Sequence, residues 1–175
     1  MALNKTIALA VVAIMAVAAV TGAVMVFNKS PDLLNSEFCI IVTDSMAGEP
    51  TDYEISTIPV NSLIAVHKTS GVNAQNVSIG DVVGYRSVSV GMNTVYHRVI
   101  SIDDVSKLLT VKGDNVPVTE RIGFDKVTGK VANVSHEAGE VVVFIKEHIF
   151  LIVLILIVVT ALVEVVPYLL KRKEG

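Results

Sequence analysis

Two short segments of the chain carry the residue types that acyl transfer uses. Ser45 follows the apolar run 38–42, so it stands where a strand gives way to a loop and its hydroxyl can face a cleft. His97 lies in a segment of strand type, where alternation puts its side chain on the same face as Val95 and Val99. A serine and a histidine in such positions are compatible with a nucleophile and its general base.

An apolar face would also prepare the histidine for this role. Desolvation lowers an imidazole pKa from about 6.5, so His97 would stay neutral and able to accept a proton near neutral pH. A third segment, Lys112-Gly113-Asp114-Asn115, is followed by Glu120, and either Asp114 or Glu120 could orient the histidine. Each segment also has a plainer interpretation: a serine bonded to turn backbone, a core histidine, and an ordinary Gly-Asp-Asn turn.

The elements that must position these residues are predicted to be strands. Between the two ends of the chain no helical period is found, and short β-type runs alternate with turn residues. The fold class is therefore mainly β, a compact antiparallel and barrel-like domain. The predicted strands are Phe38–Val42, Leu63–His67, Asp81–Arg86, Thr94–Ile102, Lys107–Val111, Lys126–Val134 and Val141–Ile145.

The apolar residues, 52% of the chain, concentrate in a block at each end. Thr6–Phe27 contains 22 residues without a charge, and His148–Leu170 is dense in Ile, Leu and Val. At about 1.5 Å per residue, a helix of either length crosses a hydrocarbon core of about 30 Å. The sequence thus predicts N- and C-terminal transmembrane helices that flank the β domain. The first block has an alternative interpretation as a cleavable signal peptide, with a small-residue cleavage site at 20–23.

The domain organisation follows from these blocks. Residues 1–28 would form the N-terminal transmembrane anchor, 29–147 the extracytoplasmic β domain, and 148–175 the second helix with its basic tail. The cluster Lys171-Arg172-Lys173 predicts a cytoplasmic C-terminus, so two spans place the middle domain on the non-cytoplasmic side of a cell or endoplasmic reticulum membrane. Three glycosylation sequons, at Asn28, Asn76 and Asn133, suit that side.

The composition of the chain limits which partners and cross-links it can have. No basic stretch suits nucleic acid, and the single cysteine, Cys39, excludes an intrachain disulfide. Glu164, near the end of the second apolar block, either contacts a helix of a membrane partner subunit or reaches the bilayer surface.

Four motifs, in their order along the chain, resemble signal peptidase I of the archaeal and endoplasmic reticulum type. They are Asp44-Ser45-Met46, Gly80-Asp81-Val82-Val83, His97-Arg98-Val99-Ile100 and Lys112-Gly113-Asp114-Asn115. The resemblance runs from about Phe38 to Val131. It implies a serine endopeptidase that removes signal peptides from secreted preproteins and needs neither cofactor nor metal.

The resemblance also implies roles for single residues. Ser45 would be the nucleophile, and His97 would be the base at the place where bacterial relatives carry lysine. The Ser45 backbone N–H and the Thr43 hydroxyl would hold the oxyanion. Two departures stand out: Asp44 replaces a glycine, and Glu120 replaces the aspartate that completes the triad. Asp114 therefore stays beside Glu120 as a candidate for the third member.

Substrate and membrane would meet at the same site. An extended signal peptide would pair with an exposed strand edge, between walls formed by Ile41, Val42, Leu63 and Ile64. The anchors would hold the site close to the bilayer, where the cleavage point of a signal peptide emerges.

Two rival functions are left open by the sequence. A cysteine transpeptidase of the sortase kind would use Cys39, His97 and Arg98. A non-catalytic, membrane-anchored β domain, either an inactive homologue or an adhesive or structural protein, would use none of these residues chemically, and the departures at Asp44 and Glu120 leave it open.

Overall fold

A computed structural model describes residues 36–68, 76–87, 91 and 93–173. The predicted N-terminal anchor, 1–28, lies outside these residues. Contacts group residues 32–143 into one unit that holds the sheet, and the described part of the other unit is 144–173.

Seven antiparallel strands form one sheet in the order β1-β2-β7-β3-β4-β5-β6. Their bounds are β1 Ser36–Ile40, β2 Leu63–Lys68, β3 Val82–Arg86, β4 Thr94–Asp103, β5 Leu108–Lys112, β6 Thr119–Gly123 and β7 Val127–Ser135. Six of these match predicted strands to within about two residues at either end. Among the described pairings, β1 and β6 stand at the two ends of the order, and none joins them into a closed barrel.

Apolar side chains cover both faces of the central strand β3. Val83 and Tyr85 belong to one buried cluster, shared with Val99 of β4 and Val111 of β5. Val82, whose side chain alternates to the other face, belongs to a second cluster. Because both sides of β3 are packed, the strands beside it are held in a fixed register.

The second cluster reaches beyond the strands. It includes Ile64 of β2 and Val131 of β7, together with Met46 and Ile58 from the long segment that joins β1 to β2. The segment that contains Ser45 is thus pinned to the sheet by buried apolar side chains.

The predicted strand Val141–Ile145 is wrong, because these residues belong to a helix, α1, that spans His136–Lys173. Their β-branched side chains favour a strand locally. A cap overrides that preference: Ser135 Oγ accepts a hydrogen bond from Ala138 N at 3.1 Å, and Glu137 lies in the first turn. The helix therefore begins 12 residues before the predicted start at His148.

Strand β6 was not predicted. Thr119–Gly123 pairs with β5, and Ile122 is its one buried residue, so its local sequence resembles a polar turn. Edge strands are commonly short and charged, which removes the apolar alternation that reveals other strands.

One helix among the described residues is long and apolar enough to cross a membrane. The qualifying segment is His136–Val159, and its apolar stretch is not buried inside the protein. Its length and composition agree with the predicted C-terminal membrane helix.

Candidate active site

Ser45 lies in a turn that is fastened on both sides. The preceding strand ends at Ile40, and the following residue, Met46, is 1% exposed and sits in the second apolar cluster. The Met46 carbonyl accepts a hydrogen bond from Ile58 N at 2.9 Å, and the Ser45 carbonyl accepts one from Asn115 N at 2.9 Å. The Ser45 side chain remains half-buried. An anchored backbone with a partly open hydroxyl is what a nucleophile requires.

His97 lies in β4, directly opposite Val83 of β3. Val95 and Val99, which share its face, pack in the first apolar cluster, as alternation predicts. The imidazole itself is half-buried. Burial lowers its pKa below the ordinary value, while the charges of Glu120 and Asp114 counteract part of that shift. The neutral form, which can accept a proton, is therefore favoured.

Gly113 marks the point where the serine turn meets the histidine. A Cβ placed on this residue would stand 2.6 Å from the Ser45 carbonyl oxygen and 3.0 Å from His97 Nε2. Both atoms thus lie within 3.0 Å of one point, and only a residue without a side chain fits between them. The Lys112–Asn115 turn brings the two predicted catalytic residues together.

Tyr85 of β3 connects His97 to Glu120. Its hydroxyl lies 2.9 Å from His97 Nδ1 and is also hydrogen-bonded to the Glu120 carboxylate. Burial, together with this carboxylate, raises the pKa of Tyr85, so the hydroxyl keeps its proton. The Ser87 hydroxyl lies 3.4 Å from each Glu120 oxygen and donates toward them. Sequence reasoning missed Tyr85: alternation puts it on the same face of β3 as Val83, but only the pairing of β3 with β4 brings it to His97.

Asp114, the other candidate for orienting the histidine, forms an ion pair with Arg98. Arg98 is 2% exposed, and its Nε donates to Asp114 Oδ1 at 2.9 Å. The same guanidinium donates to the carbonyl oxygens of Ile55, Gly80 and Ser56 at 2.8 to 2.9 Å. Asp114 thereby joins the 113–115 turn to β4 and to the loop at 55–56. Of the two carboxylates, Glu120 is the one in the hydrogen-bonded chain that ends at the imidazole.

Thr43, the predicted oxyanion partner, lies beside Ser45, the predicted nucleophile. Its Oγ1 is 3.4 Å from Ser45 Oγ, and both groups are accessible at the surface. The hydroxyl therefore stands close to where an oxyanion would form. The Ser45 backbone N–H stays a prediction for the second donor.

The four residues predicted to contact substrate differ in how accessible their side chains are. Val42 is 80% exposed, and Leu63 is half-buried. Ile41 and Ile64 are buried in the second apolar cluster, so a peptide cannot touch their side chains without opening the core. Val42, three residues before Ser45, is the best placed of the four for a substrate side chain.

Cys39 does not face His97. Its Sγ accepts a hydrogen bond from Tyr96 Oη at 3.4 Å, and both residues pack against the second apolar cluster. His97 follows Tyr96 in the strand, so its side chain lies on the opposite face. Arg98, the third residue of the sortase interpretation, is engaged with Asp114. This geometry gives no support to a cysteine transpeptidase.

A second serine–histidine contact occurs elsewhere in the sheet unit. Ser62 Oγ lies 3.4 Å from His136 Nδ1, and His136 Nε2 lies 3.9 Å from Glu140 Oε1. Ser62 is 0% exposed, so no peptide bond can reach its hydroxyl. The pair does not suit catalysis, but it offers a control for experiments on Ser45 and His97.

Comparisons with known proteins give no assignment, since no family model, curated protein or solved structure matches this chain. Within the part of the chain that the structure describes, no group of three or more His, Cys, Asp or Glu side chains could hold a metal ion.

Proposed function

We propose that this chain is a membrane-bound serine endopeptidase of the signal peptidase I type, which removes signal peptides from secreted preproteins. The observation that supports it most is the convergence at Gly113, where the Ser45 turn and His97 Nε2 meet. Two residues 52 positions apart in the sequence are thereby neighbours, and one of them is a histidine with a lowered pKa.

In the proposed reaction Ser45 Oγ attacks the scissile carbonyl carbon and forms the new C–O bond. His97 Nε2 accepts the hydroxyl proton and passes it to the amine as the C–N bond breaks. Water then hydrolyses the acyl-enzyme, with His97 again as base. A positioned base of this kind contributes on the order of 10²–10⁴-fold to the rate.

The developing oxyanion would be held by the Ser45 backbone N–H and the Thr43 hydroxyl. Each donor aimed at such an oxygen contributes roughly 10²–10³-fold. Thr43 can turn its hydroxyl from the resting contact with Ser45 Oγ toward the new charge, because its side chain is exposed.

The membrane setting belongs to the same proposal. The apolar helix α1 would cross the bilayer, together with the N-terminal anchor 1–28, and the β domain, folded into a barrel-like peptidase, would lie on the non-cytoplasmic side. A signal peptide held in the same bilayer would present its cleavage point to Ser45 at raised effective concentration.

Processing of a preprotein by the full chain in detergent tests this proposal. The wild type should release the mature protein, and Ser45→Ala and His97→Ala should each reduce cleavage by at least about 10²-fold. Ser62→Ala and His136→Ala remove the second serine–histidine contact and should leave cleavage intact. Cys39→Ala should also cleave normally.

Normal processing by Ser45→Ala or His97→Ala would refute the catalytic assignment. Absence of processing by the wild type on several preproteins would favour the non-catalytic β domain instead. If Cys39→Ala loses activity while Ser45→Ala keeps it, the sortase-like cysteine transpeptidase would be favoured.

A further inference from the structure

The route from Glu120 to the imidazole passes through a tyrosine. Glu120 lies in β6, opposite Val111 of β5, and Val111 lies opposite Val99 of β4. Strands are spaced about 4.8 Å apart, so the carboxylate belongs to a strand roughly 10 Å from the one that carries His97. Tyr85, which is 1% exposed, stands on β3, on the other side of β4 in the strand order, and its hydroxyl meets both His97 Nδ1 and the Glu120 carboxylate.

The direction of the hydrogen bonds that link Glu120, Tyr85 and His97 follows from the number of protons that each group can donate. A tyrosine hydroxyl has one proton to donate, and an ionised carboxylate only accepts. The Tyr85 proton therefore points to Glu120, and the hydroxyl oxygen accepts from His97 Nδ1 at 2.9 Å. Nδ1 must then carry a proton, which leaves the lone pair on Nε2.

Nε2 is the nitrogen that faces the serine turn, since it lies 3.0 Å from the Cβ position of Gly113. We propose that Tyr85 is a positioning residue that, backed by Glu120, selects the Nδ1–H tautomer of His97 and so aims the basic nitrogen at Ser45. The catalytic part rests on the proposed function, whereas the tautomer itself does not.

The same hydrogen bonds, from His97 through Tyr85 to Glu120, would stabilise the imidazolium that forms when His97 takes the Ser45 proton. Nδ1–H already donates to the Tyr85 oxygen, and the Glu120 charge polarises that hydroxyl. The carboxylate acts through a hydroxyl rather than by direct contact. The extra reach of this arrangement allows a glutamate on an edge strand to serve.

Nitrogen-15 NMR of the full chain in detergent, labelled at histidine, reports the tautomer directly. The chain has four histidines, and the His97 signals are identified by their loss in His97→Gln. In the wild type above the His97 pKa, we expect a protonated Nδ1 and an unprotonated Nε2. In Tyr85→Phe, which lacks the acceptor oxygen, the signals should move toward the Nε2–H tautomer.

Tyr96→Phe is the matched control. Tyr96 is a neighbouring tyrosine whose hydroxyl bonds to Cys39 on the other face of β4, so its removal should leave the His97 tautomer unchanged. A wild-type His97 in the Nε2–H form would overturn the proposal, and this result does not depend on Tyr85→Phe. An unchanged tautomer in a folded Tyr85→Phe would overturn it as well.

Kinetic measurements provide a second test of the role of Tyr85. Tyr85→Phe should lower kcat by about 10- to 100-fold, part of what a general base contributes, with little change in KM. Tyr96→Phe should leave kcat unaltered. If the tautomer is as expected but Ser45→Ala still processes preproteins, the proposed function fails and the hydrogen-bond assignment survives. Unaltered kcat in Tyr85→Phe, with the tautomer changed, would contradict the catalytic role of the tyrosine.

Discussion

His97 is half-buried, and its surroundings decide the pH range in which it can act as a base. Burial disfavours the imidazolium, and the carboxylates of Glu120 and Asp114 favour it without cancelling the effect. The folded-state pKa therefore lies below the ordinary value of about 6.5. Activity should rise with pH as His97 loses its proton, and it should already be maximal near neutral pH.

Glu120→Gln tests the electrostatic part of this account. The substitution removes a charge that raises the His97 pKa, so the acidic midpoint of kcat/KM should move to lower pH than in the wild type. The wild-type midpoint should itself fall below about 6.5. The measurement is kcat/KM against pH on a signal-peptide substrate. A midpoint that rises in Glu120→Gln would contradict the assigned environment.

Asp114→Asn should lower the free energy of unfolding, in addition to any effect on the pH profile. Arg98, at 3% side-chain exposure, would lose the charge that compensates its guanidinium. Breaking a buried pair in this way typically costs about 3–5 kcal/mol. Denaturant unfolding in detergent should show a large loss for Asp114→Asn and a smaller one for Glu120→Gln. Equal losses would argue against separate roles for the two carboxylates.

Much of the site was predictable at the residue scale, and Tyr85 shows where prediction ended. Alternation alone places His97 with Val95 and Val99, and the order of motifs pairs it with Ser45. The tyrosine is found only through the register of two strands, in which Val83 stands opposite His97. A single sequence does not state that register, so the hydroxyl beside Nδ1 was not foreseen.

The decisive element is the turn between β5 and β6. It places Gly113 against both Ser45 and His97, and it carries Asp114 to Arg98 and Asn115 N to the Ser45 carbonyl. The position of Ser45, the proposed nucleophile, thus depends on a segment far away in the sequence.

Gly113→Ala should separate the two proposed catalytic residues, Ser45 and His97, without removing a functional group. Its methyl group would need the space that the Ser45 carbonyl and His97 Nε2 occupy. A displacement near 1 Å can lower the rate by about 10²-fold, and we expect a loss in kcat of that order.

Gly123→Ala, in the neighbouring strand β6, is the control for this substitution. Its new methyl would meet the end of the flexible Asp125 side chain, and Gly123 has a φ of −70° that alanine adopts readily. It should retain most of the wild-type kcat. Full activity in Gly113→Ala would mean that the site is looser than the contacts indicate.

Strands were predicted well where apolar and polar residues alternate strongly. They were predicted poorly where an adjacent segment, such as a helix cap or a paired strand, determines the structure. Four of the five residues in the run 141–145 are β-branched, yet the run continues a helix that Ser135 caps and that the following apolar run extends. Strand β6 has almost no apolar signal, because it is an edge strand with Glu120 and Arg121 at its centre.

At the scale of the whole molecule, the feature to account for is a long helix with exposed apolar side chains. Composition predicted such a segment, and His136–Val159 has the length and character of a membrane span. The outward-facing Ile, Leu, Val and Phe side chains of this helix are costly in water and favourable in lipid.

Insertion of the segment 136–175 into a membrane reporter, with glycosylation sites on both flanks, tests this interpretation. The natural segment should span the membrane. Val153→Lys puts a charge on an exposed position of the helix, at a cost of up to about 3 kcal/mol, and should reduce the spanning fraction. Val153→Ile should leave it unchanged. Equal insertion of all three would show that the helix is not held by its apolar surface.

The central claim, that Ser45 is activated by His97, is tested most directly by covalent trapping. The full chain in detergent is treated with a short alanine-ending peptidyl phosphonate, which bonds to activated serines, and the modified residue is located by mass spectrometry. The account predicts an adduct on Ser45 that forms at least about 10²-fold more slowly in His97→Ala and at the normal rate in Ser62→Ala. An adduct on another residue, or an equal rate without the imidazole, would contradict it.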